Sequence, residues 1–507
     1  LRDYMRNKQA AKNMLANLFL QVIIFLSGII LPRFFLKEYG SSVNGMVTSI
    51  NQFLIYLGLA EAGVGTASVV ALYGPLARED QAEVNSILSA SRRFYNRSGY
   101  LFGALVAGFA FVYPYLITGQ LDAGLVRMMV LVLASSTLVD YFLLGKYKVL
   151  LTANQQGYVV AYVQAIGTAL NMAVSILLIS LHMPVLFVKA MATVIYILRF
   201  FFVRVYVHKN YKKVDFHAAP KMDGLNQRSA ALLHQIVGVI VNNTDIVLLT
   251  VCLGSRSLIE VSVYGIYNMV VYAVNLMMTS FSNGLTAGFG EVISKKETDV
   301  LKRSFSNFEY LYMMVLFWVF ACMMVLLIPF VMVYTADVSD ANYIRPLSAV
   351  FFTLLILLQN IRIPGLTIIC AAGHFKETRR QAILEAVINI VVSLIFVWNY
   401  GINGVLFGTL CSYGYRSLDV ILYNRKFFVS GTGQNTLRRV LRNMVISGVA
   451  IAIGFGFVPQ QMNSFLQWIF YAIGIAAVSG GLLVVVNYFC ERQEFQDMLQ
   501  RIKSIGH

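Results

Sequence analysis

The chain has 507 residues, of which 58% are hydrophobic and 13% charged, with a net charge of +16. Soluble globular chains lie nearer half apolar and about a quarter charged, so a water-soluble protein is excluded and lipid must act as the solvent for the outer surface. The basic residues come in short clusters between apolar runs, which excludes nucleic acid as the reason for the charge and fits loops facing anionic lipid.

The N-terminus is basic and then apolar from about Asn13 to Leu36. That run is too long for a signal h-region and lacks a small-residue cleavage site, so it reads as a retained first span. Further runs of about twenty mostly apolar residues follow near 43–74, 98–118, 125–149, 158–181, 185–207, 229–253, 261–291, 310–334, 347–371, 381–400, 404–424, 443–459 and 465–489. The expected fold class is an all-α integral membrane protein of about fourteen transmembrane helices. With a cytoplasmic N-terminus, 33 of the 40 basic residues fall on the inside, as the positive-inside rule requires. Both termini are then cytoplasmic. The largest outside loop, near 335–346, leaves no room for an external catalytic domain.

Two inside stretches, 77–95 and 294–310, mix charges with Val84, Ile87, Leu88 or Val300, Leu301 and Phe305. They read as helices lying on the inner leaflet or as solvated connectors. Cys252, Cys322, Cys370, Cys411 and Cys490 are far apart in apolar surroundings, without metal-ligand spacing, and read as packing residues.

Two halves of the chain are similar. Ala62-Gly63-Val64-Gly65 and Ala287-Gly288-Phe289-Gly290 stand at corresponding places, and the offset from Ala153 to Ala371 equals that from Asn171 to Asn389. This predicts two parallel six-helix lobes, 1–210 and 211–428, followed by two extra transmembrane helices and a tail over 429–507. A cleft between such halves is the natural transport site, and rocking of the halves would expose it to each side in turn.

Several segments resemble the multidrug/oligosaccharidyl-lipid/polysaccharide (MOP) exporter superfamily, in its polysaccharide-transporter or O-antigen flippase (Wzx-type) branch. They are Lys12-Asn13, Phe35-Leu36 with Tyr39-Gly40 and Asn44-Gly45, the run Leu57 to Ala67, and Leu151-Thr152-Ala153-Asn154-Gln155. The resemblance implies a flippase in the bacterial plasma membrane. It would carry an undecaprenyl-pyrophosphate-linked oligosaccharide by alternating access, alongside glycan assembly enzymes and membrane lipid. It also implies a cavity lined by spans 1, 2, 7 and 8, and C-terminal helices in contact with lipid; the last two spans carry no charge between Met444 and Cys490.

A charge within hydrocarbon costs roughly 2.5–3.5 kcal/mol unless paired or hydrated, so charges placed mid-span are the first site candidates. Glu61 and Asp245 are candidates for substrate contact and for coupling to H⁺ or Na⁺; interhelical salt bridges or hydrogen bonds are the structural alternative. Asn243 stands beside Asp245 in a polar cluster, and Asn275 and Asn283 lie in span 8. Arg33 and Arg362 suit a pyrophosphate through the planar guanidinium fork, with snorkelling or ion pairing as the alternatives. Lys189 reads as an interface anchor and His234 as a hydrogen-bonded core residue. No cofactor is expected. The competing readings are a multidrug cation antiporter of the same superfamily and a membrane-embedded glycan polymerase or ligase. Against the enzyme stand the short outside loops and the absence of an H-E-x-x-H, P-loop or Ser-centred motif.

Overall fold

The computed structural model describes residues 2–59, 64–117, 119–220, 229–283, 285–428, 433–459 and 461–496, with side chains described except at 2–8, 10, 64, 66, 229–235, 283, 287, 433 and 434. The described residues are helices and their connections, with no strand. Eleven of the helices are long and apolar enough to cross a membrane, and Ala67–Ala77 and Ile236–Cys252 are shorter apolar helices. The protein is therefore a multi-pass membrane protein. The eleven differ from the fourteen expected for physical reasons. α1 (Arg2–Gly58) is two helices meeting at Gly40, whose backbone (φ 79°, ψ 176°) is left-handed and suits glycine. α15 (Ile402–Phe427) carries Arg416, Asp419, Arg425 and Lys426 and is too polar to count by composition.

The chain divides into two compact units, Leu1–Ser262 and Val263–His507. In the first, α1 is followed by α2 (Val64–Ala77), α3 (Gln81–Leu116), α4 (Ala123–Val139), a π-helical turn (Asp140–Leu144), α5 (Gly145–Ala153), α6 (Gly157–Ser180), α7 (Val185–Asn210) and α8 (Ser229–Cys252). The first part of α1 runs beside α6 in the same direction. At one end Asn13 Oδ1 accepts from the Tyr158 N–H at 2.6 Å while its Nδ2 donates to the Gln155 carbonyl at 2.8 Å. At the other end His182 Nδ1 lies 2.7 Å from Glu38 Oε1, and the Tyr39 hydroxyl donates to the Met183 carbonyl at 2.6 Å.

After α9 (Ser257–Asn283) the second unit repeats the series: α10 (Thr286–Ser294), α11 (Thr298–Tyr334), α12 (Pro346–Ile361), α13 (Ile363–Ala371), α14 (Arg379–Tyr400) and α15. The turns repeat as well. Left-handed residues stand at Glu79 and Lys296, at Gln155 and Gly373, and at His182 and Gly401, which are 217, 218 and 219 residues apart. The Gln155 and Gly373 turns share one hydrogen-bond pattern. The Gln156 N–H donates to the Leu151 carbonyl and the Gln155 N–H to Thr152, as His374 does to Ile369 and Gly373 to Cys370. That paired pattern is the Schellman cap, which satisfies the last carbonyls of a helix.

The amphipathic stretches pack part of their apolar face against the protein, while Val300 stays exposed. They are the first turns of the long helices α3 and α11, and Val84, Leu88, Leu301 and Phe305 are buried in the protein core. Burying such side chains contributes about 1.5–3 kcal/mol each, more than an interfacial position that leaves them half wet.

α14 and α15 pack through glycines. A Cβ on Gly404 would lie 2.3 Å from the Phe396 carbonyl oxygen, and one on Gly408 would lie 2.1 Å from Ser393 Oγ. The two glycines are four apart, the small-xxx-small spacing that lets helix backbones approach in lipid. Asn389 donates to Thr409 at 2.9 Å along the same seam. Gly408→Leu should therefore lower stability by at least ~1–3 kcal/mol, read as an earlier thermal unfolding midpoint of the purified protein, whereas Gly414→Leu, with open space beside it, should leave the midpoint nearly unchanged.

α16 (Gly433–Phe457) and α17 (Phe465–Cys490) dock on α11. Their outer faces expose Val445, Val449, Phe470, Ile473 and Phe489, in keeping with lipid contact. Their inner faces are polar. Arg439, 1% exposed, reaches Glu309 of α11 at 2.9 Å and Glu491 at 2.5 Å, and Arg442 reaches Glu491 at 2.7 Å. Asn487 donates to Asn443 at 2.8 Å, and the Trp318 and Trp468 indoles donate to the Ala476 and Leu326 carbonyls. Burial pushes the Glu491 carboxyl up, but Arg439 and Arg442 outweigh it and hold it below the ordinary 4.5. Its contribution is then complete above pH 4.5 and is lost as the pH falls through the lowered folded value. Acidification should loosen α17 in the parent, measured as lower amide protection factors near Asn487 after correction for the intrinsic exchange rate at each pH, with that acid response largely gone in Glu491→Gln.

Candidate functional site

In the first unit the second part of α1 runs antiparallel to α8 and reaches the start of α9, joined to both by a polar ladder. Asn44 donates to Ser262 at 2.8 Å, Ser49 and Thr250 share a hydrogen bond of 2.8 Å, Gln52 donates to Asn243, and Tyr56 bonds Thr244 at 2.7 Å. Gly45 permits the approach of α9, because a Cβ there would lie 1.8 Å from the Leu258 carbonyl oxygen. Asn243 is half-buried on this ladder, and its own amide donates to the Val239 carbonyl at 2.7 Å. Asp245 is 4% exposed, within Coulombic reach of Tyr56. Arg33 is half-buried, one residue past Pro32 in α1. Glu61 and the side chains of His234 and Asn283 lie outside the described residues.

In the second unit Asn275 belongs to an amide relay. It donates to Gln359 Oε1 at 2.8 Å and accepts from Asn360 at 2.8 Å, while Asn360 accepts from the Tyr312 hydroxyl at 2.9 Å. Three helices, α9, α12 and α11, are thereby tied by groups that lipid could not satisfy. Arg362 sits where α12 stops and α13 begins. Pro364 has no N–H to donate one turn back, so the Asn360 carbonyl takes the Arg362 N–H instead.

The guanidinium of Arg362 is buried and donates through Nη1 to Glu385 of α14, with its face 4.6 Å from the Tyr413 ring centre. Glu385 also faces Arg416 at 3.6 Å, and Arg416 pairs with Asp419 at 2.5 Å. Two cations and two anions thus form a closed group. The bonds described for Arg362 and Asn275 lie within the second unit and those for Asn243 within the first.

Sequence reasoning missed Glu385, Arg416, Asp419 and Arg439. Arg416 and Arg439 stand in basic clusters that read as inside segments, and the structure buries both. The available signal was Glu385, a carboxylate within an apolar span at a distance of 23 residues from Arg362. Removing one member of a buried pair leaves an uncompensated charge and costs ~3–5 kcal/mol. Glu385→Ala should therefore destabilise the protein far more than Glu291→Ala, whose pair with Lys295 is exposed. Adding Arg362→Met to Glu385→Ala should recover part of the loss, as a double-mutant cycle of thermal midpoints in detergent would show.

No family model matches the chain, and no curated protein matches it in sequence. Solved structures do match. The lipid II flippase MurJ in an inward closed conformation superposes with a TM-score of 0.65 at 14% identity, covering 94% of this chain and 98% of that one. An inward-facing multidrug resistance MATE family transporter of the MOP superfamily gives 0.59 at 13% identity over 79% and 94%. A MATE protein in a bent conformation gives 0.51 at 12% identity over 85% and 97%. At these identities the likeness is one of fold, and the chain has the fold shared by the MATE transporters and the MurJ flippase.

Proposed function

We propose that the protein is a flippase that moves a polyprenyl-pyrophosphate-linked oligosaccharide across a bacterial plasma membrane by alternating access, with fourteen crossings and both termini cytoplasmic. One observation carries the reading: the likeness to a lipid II flippase takes in 94% of this chain, against 79% for the inward-facing MATE transporter. A cargo with a lipid tail gives a reason for helices beyond those an exporter of small cations needs, and the exposed apolar faces of α16 and α17 suit such a tail.

In this reading Arg33 supplies the cation for the pyrophosphate, and Asn243 and Asn275 supply amides for the sugar. Asp245 takes the role of coupling to H⁺ or Na⁺, a role it shares with Glu61, while Asn283 joins the substrate contacts. Arg362, whose guanidinium Glu385 holds, acts by fixing the break between α12 and α13. Multidrug export is the second reading, favoured by the MATE neighbours.

The test is a headgroup-accessibility assay in proteoliposomes loaded with a fluorescent polyprenyl-pyrophosphate oligosaccharide. The parent should move the headgroup, and Arg33→Ala should slow it by about tenfold, the effect of losing one charge-assisted hydrogen bond of roughly 1.5 kcal/mol. Failure to move any polyprenyl-linked glycan, together with exchange of an organic cation for H⁺ or Na⁺, would replace the flippase reading with the multidrug one.

A further inference from the structure

A second cationic group lies in the first unit, apart from the ladder and unused by the proposed transport. Lys146 projects from α5, half-buried, with its Nζ 5.1 Å from the Tyr147 ring centre and 5.4 Å from that of Phe216. Phe216 is buried edge-on against Tyr147 at 5.2 Å, and its carbonyl accepts from Arg92 Nη1 of α3 at 3.4 Å. Arg204 of α7 holds its guanidinium 5.9 Å from the Phe200 ring and, like Arg92, acts electrostatically on both Lys146 and Tyr147. Three cations from three helices thus converge on one aromatic pair.

The scaffold that holds them is built rather than loose. The segment 211–220, which follows α7, is strapped to the start of α3. Asn85 donates to the Lys213 carbonyl at 3.2 Å and accepts from the Asp215 N–H at 3.0 Å, and Ser86 donates to the Ala219 carbonyl at 2.7 Å. These bonds seat Phe216 beneath Lys146. Among the described residues no carboxylate pairs with Arg92, Lys146 or Arg204. The acids that could serve are engaged elsewhere: Asp140 holds Lys148 at 2.5 and 2.7 Å, and Asp215 accepts from the His217 N–H at 2.8 Å. The buried cation clusters described above close on acids of their own unit, whereas these three cations, half-buried at Arg92 and Lys146 and exposed at Arg204, meet no acid among the described residues.

We propose that Arg92, Lys146 and Arg204 form a binding site for the phosphate of an anionic glycerophospholipid. Arginine forks and a lysine point charge suit phosphate oxygens. Two observations favour a lipid over a free anion. Phe201, Phe202 and Val205 beside Arg204 are exposed at 51%, 69% and 65%, an apolar strip for acyl chains next to the charges. Tyr206, two residues on from Arg204, bonds Gln156 in the turn between α5 and α6 at 3.1 Å, which sets the cluster at a helix-end level where headgroups lie. The proposal needs only the membrane location and is independent of the cargo.

The test uses the full-length protein in nanodiscs of phosphatidylglycerol or phosphatidylcholine, read by native mass spectrometry of retained lipid and by thermal midpoint. The parent should retain phosphatidylglycerol preferentially. Each neutralised charge should weaken that retention about fivefold, so that Arg92→Gln/Lys146→Gln/Arg204→Gln loses about a hundredfold while Lys146→Arg keeps it. In phosphatidylcholine the triple variant should unfold no earlier than the parent, because it has lost a repulsion. Should the triple variant not fold, Lys146→Gln alone carries the same comparison. Three results would overturn the site: unchanged preference for phosphatidylglycerol in these variants, an equal loss from Lys295→Gln on the exposed end of α10, or full stabilisation by inorganic phosphate without anionic lipid.

Discussion

The constraint that orders this molecule is charge balance in an apolar surrounding. A lone ionised side chain cannot stay within hydrocarbon without a partner or water, and the helices are arranged so that partners meet. Asp140 takes Lys148, and Asp140 also lies within electrostatic reach of Arg199. Arg199 fits against α6 only because residue 167 is glycine; a Cβ there would lie 2.0 Å from its Nε. Arg362, Glu385, Arg416 and Asp419 close as four, and Arg439 with Arg442 closes on Glu309 and Glu491. Such pairs are poor sources of net stability against an apolar replacement, but they are strongly specifying, because any other packing strands a charge. They state which helix faces which.

Glycine supplies the second half of that specification. Where two helices must meet closely enough for short polar side chains to bond, the contact point is a glycine: Gly45 under Leu258, Gly408 under Ser393, Gly404 under Phe396. With no hydrophobic effect to drive helices together in lipid, close backbone contact and side-chain hydrogen bonds take its place. Ser49 with Thr250 and Asn389 with Thr409 are bonds of this kind, and they need the backbone spacing that the glycines allow.

The spans were legible because a run of twenty apolar residues has few other uses, and one matching pair of helix ends was legible because an alanine stands at both. Ala153 and Ala371, chosen from sequence, are the last residues of α5 and α13, just before matching caps. Interhelical partners were not legible. Nothing in the order of residues says that Arg362 meets Glu385 rather than cargo, or that Asn243 meets Gln52, because pairing across helices is set by rotation and depth. The amphipathic starts of α3 and α11 were ambiguous for a related reason: an amphipathic pattern fixes which face is buried and leaves open whether lipid or protein buries it. Charge clusters read as inside loops hid Arg416 and Arg439, which lie at helix positions turned inward.

The two units also share an interruption. α5 and α13 begin at Gly145 and Ile363 and end at Ala153 and Ala371, each pair 218 residues apart, and each follows a break in the helical ladder. In the first unit the break is a π-helical turn opened by Asp140, and in the second it is the Arg362 junction before Pro364. Breaks of this kind leave backbone groups that need local partners, and both sit beside an ion pair that stays within its own unit. At the 218-residue offset the side chains at the break differ: Leu144 answers to Arg362 and Leu358 to Asp140. The interruption is therefore the part of the architecture that both units keep, and the side chain standing at it is the part that differs between them. Each unit therefore meets the same break with an ion pair of its own, Asp140 with Lys148 in one and Arg362 with Glu385 in the other.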